Sequence, residues 1–248
     1  MFLAIDIGNT HIHIGLFKEK KLIGNWKLLS RIQFSEKQYL GQIKKLSSKI
    51  KEVKQCAIAS VVPPLTRVFQ KVAMELTGAM PVIVNAANAG GLKIKVDHPK
   101  EVGADRIVNC LAAYELYGAP AIVIDFGTAI TFDLVSKKKE YLGGVIAPGM
   151  ELTAKALHLY TALLPEVSLA KPKQVRGTNT QACIQSGIYY SSIGLAETII
   201  ARLKKELGWR HPKIILTGGQ AQMISPQLAF PHTVDPHLTL KGLSLFFH

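Results

Sequence analysis

The chain opens with FLAIDI at 2–7, apolar throughout except for one aspartate. Residues 12–17 and 22–28 alternate or stay apolar, and Gly8-Asn9 and Lys18 to Lys21 mark the turns between them. This pattern predicts three consecutive strands. Tyr39, Leu40, Ile43, Leu46 and Ile50 recur at helical spacing and predict a helix over 35–49. CAIASVV at 56–62 reads as a buried strand that Pro63-Pro64 brings to an end. A helix over 65–77 and a strand at 81–84 follow.

Residues 101–117 predict a helix with Ile107, Val108, Leu111, Ala112 and Leu116 on one face. The opening pattern then returns as strands at 120–126, 129–135 and 141–146. Helices are predicted at 149–162 and 179–207, a buried strand runs into a glycine turn at 213–219, and a short helix lies near 239–247. A repeat of this length points to a duplicated domain rather than a solenoid. The expected fold class is α/β, with domains at 1–116 and 117–248.

The duplication extends to the chemistry. AIDIGNT at 4–10 and VIDFGTA at 123–129 each carry an apolar strand into an aspartate, a glycine and a threonine. Aspartate inside an apolar strand is seldom there for packing. Glycine lets a main chain approach a phosphate closely, and turn N–H groups with a threonine hydroxyl can donate to its oxygens. The carboxylate adds negative charge for Mg²⁺, usually through water. The competing reading is that Asp6 and Asp125 only stabilise tight turns; its weight falls because the same residue types recur in both halves. Asp105, in EVGADR at 101–106, could complement a helix dipole. His11 and His13 alternate with isoleucines, which fits polar strand positions, and further ligands at zinc-type spacing are lacking. Asp133 reads as a strand-end or turn residue, and Gly143-Gly144 as following a strand pair.

Composition narrows the classes. The 248 residues carry a net charge of +13, from 30 Lys+Arg against 17 Asp+Glu. The lysines are dispersed, as in KEKK at 18–21 and KKK at 137–139, and aromatic residues do not interleave with them. This favours a solvated surface over a nucleic-acid footprint. Cys56, Cys110 and Cys183 lack paired or metal-type spacing, which fits a reducing cytoplasm. The chain begins directly on a strand, so no signal peptide is expected, and no apolar run suggests a membrane span.

DIGNT at 6–10, GADR at 103–106, DFGTAITFD at 125–133, GGVIAPG at 143–149, TALLP at 161–165, GTNTQACIQSGI at 177–188 and TGG at 217–219 appear in that order. Together they resemble the type III pantothenate kinases, of the acetate and sugar kinase, heat-shock chaperone and actin superfamily. The resemblance runs nearly end to end. It implies two ribonuclease-H-like (actin-like ATPase) domains related by duplication, with mixed sheets flanked by helices. It implies ATP-dependent phosphorylation of pantothenate to 4′-phosphopantothenate, the first step of coenzyme A synthesis. By the same resemblance Asp105 is the proton acceptor, Gly103, Ala104, Asp105 and Arg106 contact pantothenate, and Thr180 reaches the pantothenate of the partner chain. Asp6, Ile7, Gly8, Asn9, Thr10, His11, Ile12 and His13 form the first ATP motif, joined by Thr128, Gly218 and Gly219. Asp6 faces Mg²⁺, and Asp125 holds a monovalent cation, K⁺ or NH₄⁺. A homodimer is implied, formed through the 179–207 helix with its small Gly187, Ser191, Ser192 and Gly194.

One position departs from the pattern: Val96 stands where the family often has an aromatic residue in the pantothenate pocket. Two rival readings therefore stay open. One is a transcription-accessory protein of the same family; the other is a kinase for another small hydroxyl substrate.

Overall fold

The computed structural model describes residues 1–247 and divides into two compact units. Unit 1 comprises Met1–Leu116, Lys138–Leu142 and His237–His248, and unit 2 comprises Tyr117–Lys137 and Gly143–Pro236. The units are thus not sequential halves, because two segments of the second half join the first unit.

In unit 1 the opening strands are β1 (Phe2–Ile7), β2 (His11–Lys18) and β3 (Lys21–Leu29). Helix α1 (Glu36–Leu46) follows, then β4 (Gln55–Ser60), α2 (Pro63–Thr77) and the two-residue strands β5 (Val82–Ile83) and β6 (Lys93–Ile94). Helix α3 spans Ala104–Tyr117. The sheet order is β3-β2-β1-β4-β5, with β1 antiparallel to β2 and parallel to β4.

Local chemistry sets the ends of these elements. Ser35 and Gln38 form a reciprocal capping box at the start of α1. Pro63 and Pro64 occupy the first turn of α2, where their missing N–H groups cost nothing. Gly78 closes α2 at φ 70°, a left-handed conformation suited to glycine. The helix expected over 35–49 stops at Leu46, and Ser48–Glu52 continues as a 3₁₀ turn that still buries Ile50.

Strand alternation gives the unit 1 sheet two different faces. Leu3, Ile5, Ile7, Ile12, Ile14 and Ile58 join Tyr39, Ile43, Leu65 and Phe69 in one buried cluster. Each such side chain contributes about 1.5–3 kcal/mol when fully buried. The opposite face carries Phe2, Ala4 and Asp6, and α7 (Leu238–Ser244) packs on β1 there. A methyl added at Gly15 would lie 3.2 Å from Leu240 Cδ1, and one at Gly242 would lie 2.5 Å from the Val108 carbonyl oxygen. Glycine at 242 therefore lets α7 approach α3 closely, and the Thr239 hydroxyl donates to buried Asn109 Oδ1 at 2.7 Å.

Unit 2 repeats the plan. Strands β7 (Ala121–Phe126), β8 (Ala129–Val135) and β9 (Glu140–Pro148) lead to α4 (Met150–Leu159) and α5 (Thr180–Glu206). Strand β10 (Lys213–Thr217), the short α6 (Ala221–Ile224) and β11 (Thr233–Val234) complete it. The strands run in the order β11-β10-β7-β8-β9, and β9 begins at Glu140 and Tyr141 beside Lys93 and Ile94. Strand β7 is antiparallel to β8 and parallel to β10, as β1 is to β2 and β4. The duplicated α/β fold expected from the sequence is therefore present, with mixed sheets flanked by helices.

One reading is corrected. Asp133 is not at a strand end: it lies inside β8, fully buried, and accepts a hydrogen bond from the Thr131 hydroxyl at 2.9 Å. Gly143 and Gly144 lie within β9, after the β7–β8 pair as the sequence predicts, with Gly143 at φ 92°. Among the described residues no helix is long and apolar enough to cross a membrane.

Candidate active site

Asp6 is the penultimate residue of β1, on the face opposite Ile5 and Ile7. Its register neighbours are His13 on β2 and Ala59 on β4, and His13 in turn faces Lys27 on β3. The hairpin beyond is tight. The Gly8 N–H donates to the His11 carbonyl at 2.9 Å, and the Ser30 hydroxyl donates to the Gly8 carbonyl at 2.6 Å. Asn9 is exposed at its tip and Thr10 is half-buried. Ile7 and Ile12 are fully buried in the core, so they can offer a ligand only main-chain groups.

His13 keeps part of its ring open to solvent. Loss of solvation over the rest lowers its pKa to about 4, with Lys27, His11 and His237 adding positive charge in the same direction. It is neutral at pH 7 and adds no positive charge there.

Asp105 stands in the first turn of α3, as the sequence predicts. Its Oδ1 accepts from the Arg106 N–H at 2.8 Å. Gly103 makes room for this carboxylate: a methyl there would lie 2.5 Å from Asp105 Oδ1 and 3.5 Å from Val61 Cγ1. The Val61 N–H bonds to the Ile7 carbonyl at 3.1 Å, which anchors the loop after β4 to the end of β1. Burial raises the Asp105 pKa above the ordinary carboxylate value, and the Arg106 N–H and guanidinium oppose that rise only in part. A carboxylate so placed is a stronger proton acceptor than one in water. The Arg106 guanidinium lies 5.7 Å from the centre of the buried Tyr141 ring, a cation–π arrangement that fixes its direction.

The second motif assembles within unit 2. Asp125 is the penultimate residue of β7 and pairs in register with Thr217 on β10. The Gly127 N–H donates to the Ala129 carbonyl at 3.1 Å, closing the turn that carries the exposed Thr128. Gly218 has φ 90°, and a methyl there would overlap Asp125 Oδ1 and lie 2.6 Å from the Phe126 main chain. Gly127 also leaves space beside Asp125, since a methyl added there would come to 3.3 Å from Oδ1. The Asp125 carboxylate thus lies between two glycines. Gly149 would collide with the Gly127 and Thr128 carbonyls if it carried a side chain.

Sequence reasoning missed Gln220 and Glu151 here. The Gln220 N–H bonds to the Phe126 carbonyl at 3.1 Å, and its Nε2 donates to Glu151 Oε1 at 3.1 Å. Neither residue belongs to a recognisable motif, and only strand pairing brings them to the turn. Gly219 is exposed beside them. Thr180 is the exposed first residue of α5, whose start is capped by the Asn179 side chain accepting from the Ala182 N–H at 2.9 Å.

Among the described residues no group of three or more His, Cys, Asp or Glu side chains could hold a metal ion. Single carboxylates such as Asp6 and Asp125 suit cations whose other ligands are waters and phosphate oxygens.

The family described as type III pantothenate kinase matches residues 2–202. A type III pantothenate kinase from Moorella thermoacetica is 43% identical over 251 residues, covering 100% of this chain and 98% of the relative. Among solved structures, a conserved Campylobacter jejuni protein assigned to a Baf family of transcriptional activators is similar in fold, at TM-score 0.60 and 20% identity, covering 98% of this chain and 95% of that one. An activator of 2-hydroxyisocaproyl-CoA dehydratase from Clostridium difficile, with bound ADPNP, aligns at TM-score 0.53 and 9% identity, covering 99% and 93%.

Proposed function

The chain belongs to the type III pantothenate kinase family, and on that premise we propose how its residues carry the reaction. The protein transfers the terminal phosphoryl group of ATP to pantothenate, giving 4′-phosphopantothenate for coenzyme A synthesis. The full-length similarity to a type III pantothenate kinase carries this reading. Incubation with pantothenate, ATP and Mg²⁺ followed by mass spectrometry tests it, through appearance of the phosphorylated product.

In the proposed mechanism Asp105 accepts the proton of the pantothenate primary hydroxyl as that oxygen bonds to the γ-phosphorus and the bond to ADP breaks. If the transition state is loose, positioning and positive charge contribute more than the base does. Gly103, Ala104 and Arg106 hold pantothenate, with the Arg106 fork directed at its carboxylate or carbonyl oxygens, and Thr180 reaches the pantothenate bound by the partner subunit. The Asp6–His13 turn, Thr128, Gly218 and Gly219 contact ATP through main-chain N–H groups and hydroxyls. When bound, Mg²⁺ and K⁺ or NH₄⁺ would supply positive charge against the phosphate oxygens; Asp6 would serve the first and Asp125 would hold the second. The seating of the Asp125 carboxylate between Gly127 and Gly218 supports the second assignment.

Gly103→Ala gives a specific expectation. Its methyl would push the Asp105 carboxylate aside, so kcat should fall about tenfold, the effect of misplacing a catalytic group by a fraction of an ångström. Thermal denaturation should change little. Steady-state kinetics beside a melting curve checks both.

We also propose a cytoplasmic homodimer with no nucleic-acid partner. Gly187, Ser191 and Gly194 form an exposed stripe on α5, and methyls added at Gly187 or Gly194 would touch nothing in the chain. The exposed Leu159, Tyr160 and Leu163 in unit 2 add apolar surface of the kind interfaces cover. Gly187→Leu/Gly194→Leu is expected to fold normally yet sediment as a monomer. A dimer of unchanged stability would remove α5 from the interface.

A further inference from the structure

Unit 1 contains a cavity of about 490 Å³ that no part of the kinase mechanism uses. Its volume lies within the range of about 300–1,000 Å³ usual for small-ligand sites. All of its lining residues belong to unit 1. They come from β2, the β2–β3 turn, the loop near Gly90, the C-terminal half of α3, the β8–β9 turn, and α7 with the turn after it.

The lining combines two kinds of surface. Phe17, Leu22, Leu111 and Leu245 supply an apolar wall. Lys20, Lys139 and Lys241 bring three ammonium groups, against the single carboxylate of Glu115. That carboxylate is already engaged, since Lys139 Nζ lies 2.5 Å from Glu115 Oε1 and 5.6 Å from the centre of the Tyr114 ring. Lys139 is therefore a fixed wall of the cavity. Lys20 is exposed and Lys241 half-buried.

Gly90 keeps the wall open. It has φ 61°, and a methyl there would lie 2.5 Å from Leu111 Cδ2. Neighbouring Gly91, at φ 80°, would bring a methyl to 3.4 Å from Lys139 Nζ. Two consecutive left-handed glycines thus let the loop run close to the cavity lining without filling it.

We propose that this cavity is a second ligand site, which takes a small organic anion with an apolar body. The leucines and Phe17 receive the body, and Lys20 and Lys241 meet the anionic group. An uncharged ligand of the same shape gains the apolar contact alone. A multiply charged hydrophilic anion such as ATP lacks the body that the wall requires.

Two dyes of one shape separate these contributions. 8-Anilino-1-naphthalenesulfonate carries the anion, and N-phenyl-1-naphthylamine is the same body without it. Their fluorescence should be titrated on the whole protein with saturating ADPNP, a non-hydrolysable ATP analogue, Mg²⁺ and pantothenate present, so that the kinase site is filled without turnover. The expected result is one sulfonate dye per chain, bound about tenfold more tightly than the neutral dye, as two partly screened ion pairs supply. Lys20→Glu/Lys241→Glu should abolish that preference while circular dichroism stays unchanged. Lys20→Arg/Lys241→Arg should retain it. Equal binding of the two dyes, a preference that survives charge reversal, or loss of sulfonate-dye binding once the kinase site is filled would overturn the proposal.

Discussion

Asp105→Asn is expected to lower kcat by about 100-fold or more, the low end of what a positioned general base contributes. Asparagine keeps the size and planarity of the side chain and can still accept from the Arg106 N–H through its carbonyl oxygen. It cannot take a proton. KM for pantothenate should therefore move less than kcat, because the contacts that hold substrate stay in place.

The raised pKa of Asp105 adds two signatures. Burial disfavours its charged form, so the activity of the wild type should fall as pH drops through a pKa above the ordinary carboxylate range. Stability has the opposite sign. A carboxyl group whose folded pKa exceeds its unfolded pKa stabilises the fold most when protonated, and that contribution is lost as pH rises through the folded value. Wherever the group is ionised it is a cost, so above its folded pKa Asp105→Asn should melt at the same temperature as the wild type or higher. An inactive variant that is also destabilised would point to a structural role instead.

Gly218→Ala should produce the second large effect. The residue sits at φ 90°, where alanine is strained by about 1–3 kcal/mol. The added methyl would also overlap Asp125 Oδ1 and crowd the Phe126 main chain. Asp125 must then move, and with it the proposed monovalent-cation site. We expect kcat/KM for ATP to fall about tenfold or more, equivalent to losing about 1.4 kcal/mol of transition-state stabilisation. Activation by K⁺ should weaken in parallel. Titration of ATP at several K⁺ concentrations measures both. Unchanged K⁺ dependence in the Gly218→Ala enzyme would separate Gly218 from Asp125 function.

Much of this arrangement is legible in the sequence because it is local. The β1 and β7 aspartates each precede a glycine turn between alternating strands, and alternation alone places Asp6 opposite Ile5 and Ile7. Asp105 is legible for a similar reason, since it opens a helix with strong apolar spacing. The contact between Gly218 and Asp125 is not legible. It exists because β7 and β10 pair in parallel, with Thr217 beside Asp125, and that register is a tertiary outcome. Gln220 and Glu151 are hidden in the same way. The assignment of α7 to unit 1 also escapes the repeat, because its packing depends on Gly242 meeting α3. Strands β6 and β11 have two residues each, too few for any periodicity to register.

The rate of ADP release from the purified protein with ATP and Mg²⁺, across pantothenate, simple sugars and acetate, with and without K⁺, tests pantothenate phosphorylation most directly. Release that requires pantothenate and rises with K⁺ is the predicted result. Turnover that ignores pantothenate, or that follows a sugar or acetate instead, would contradict it.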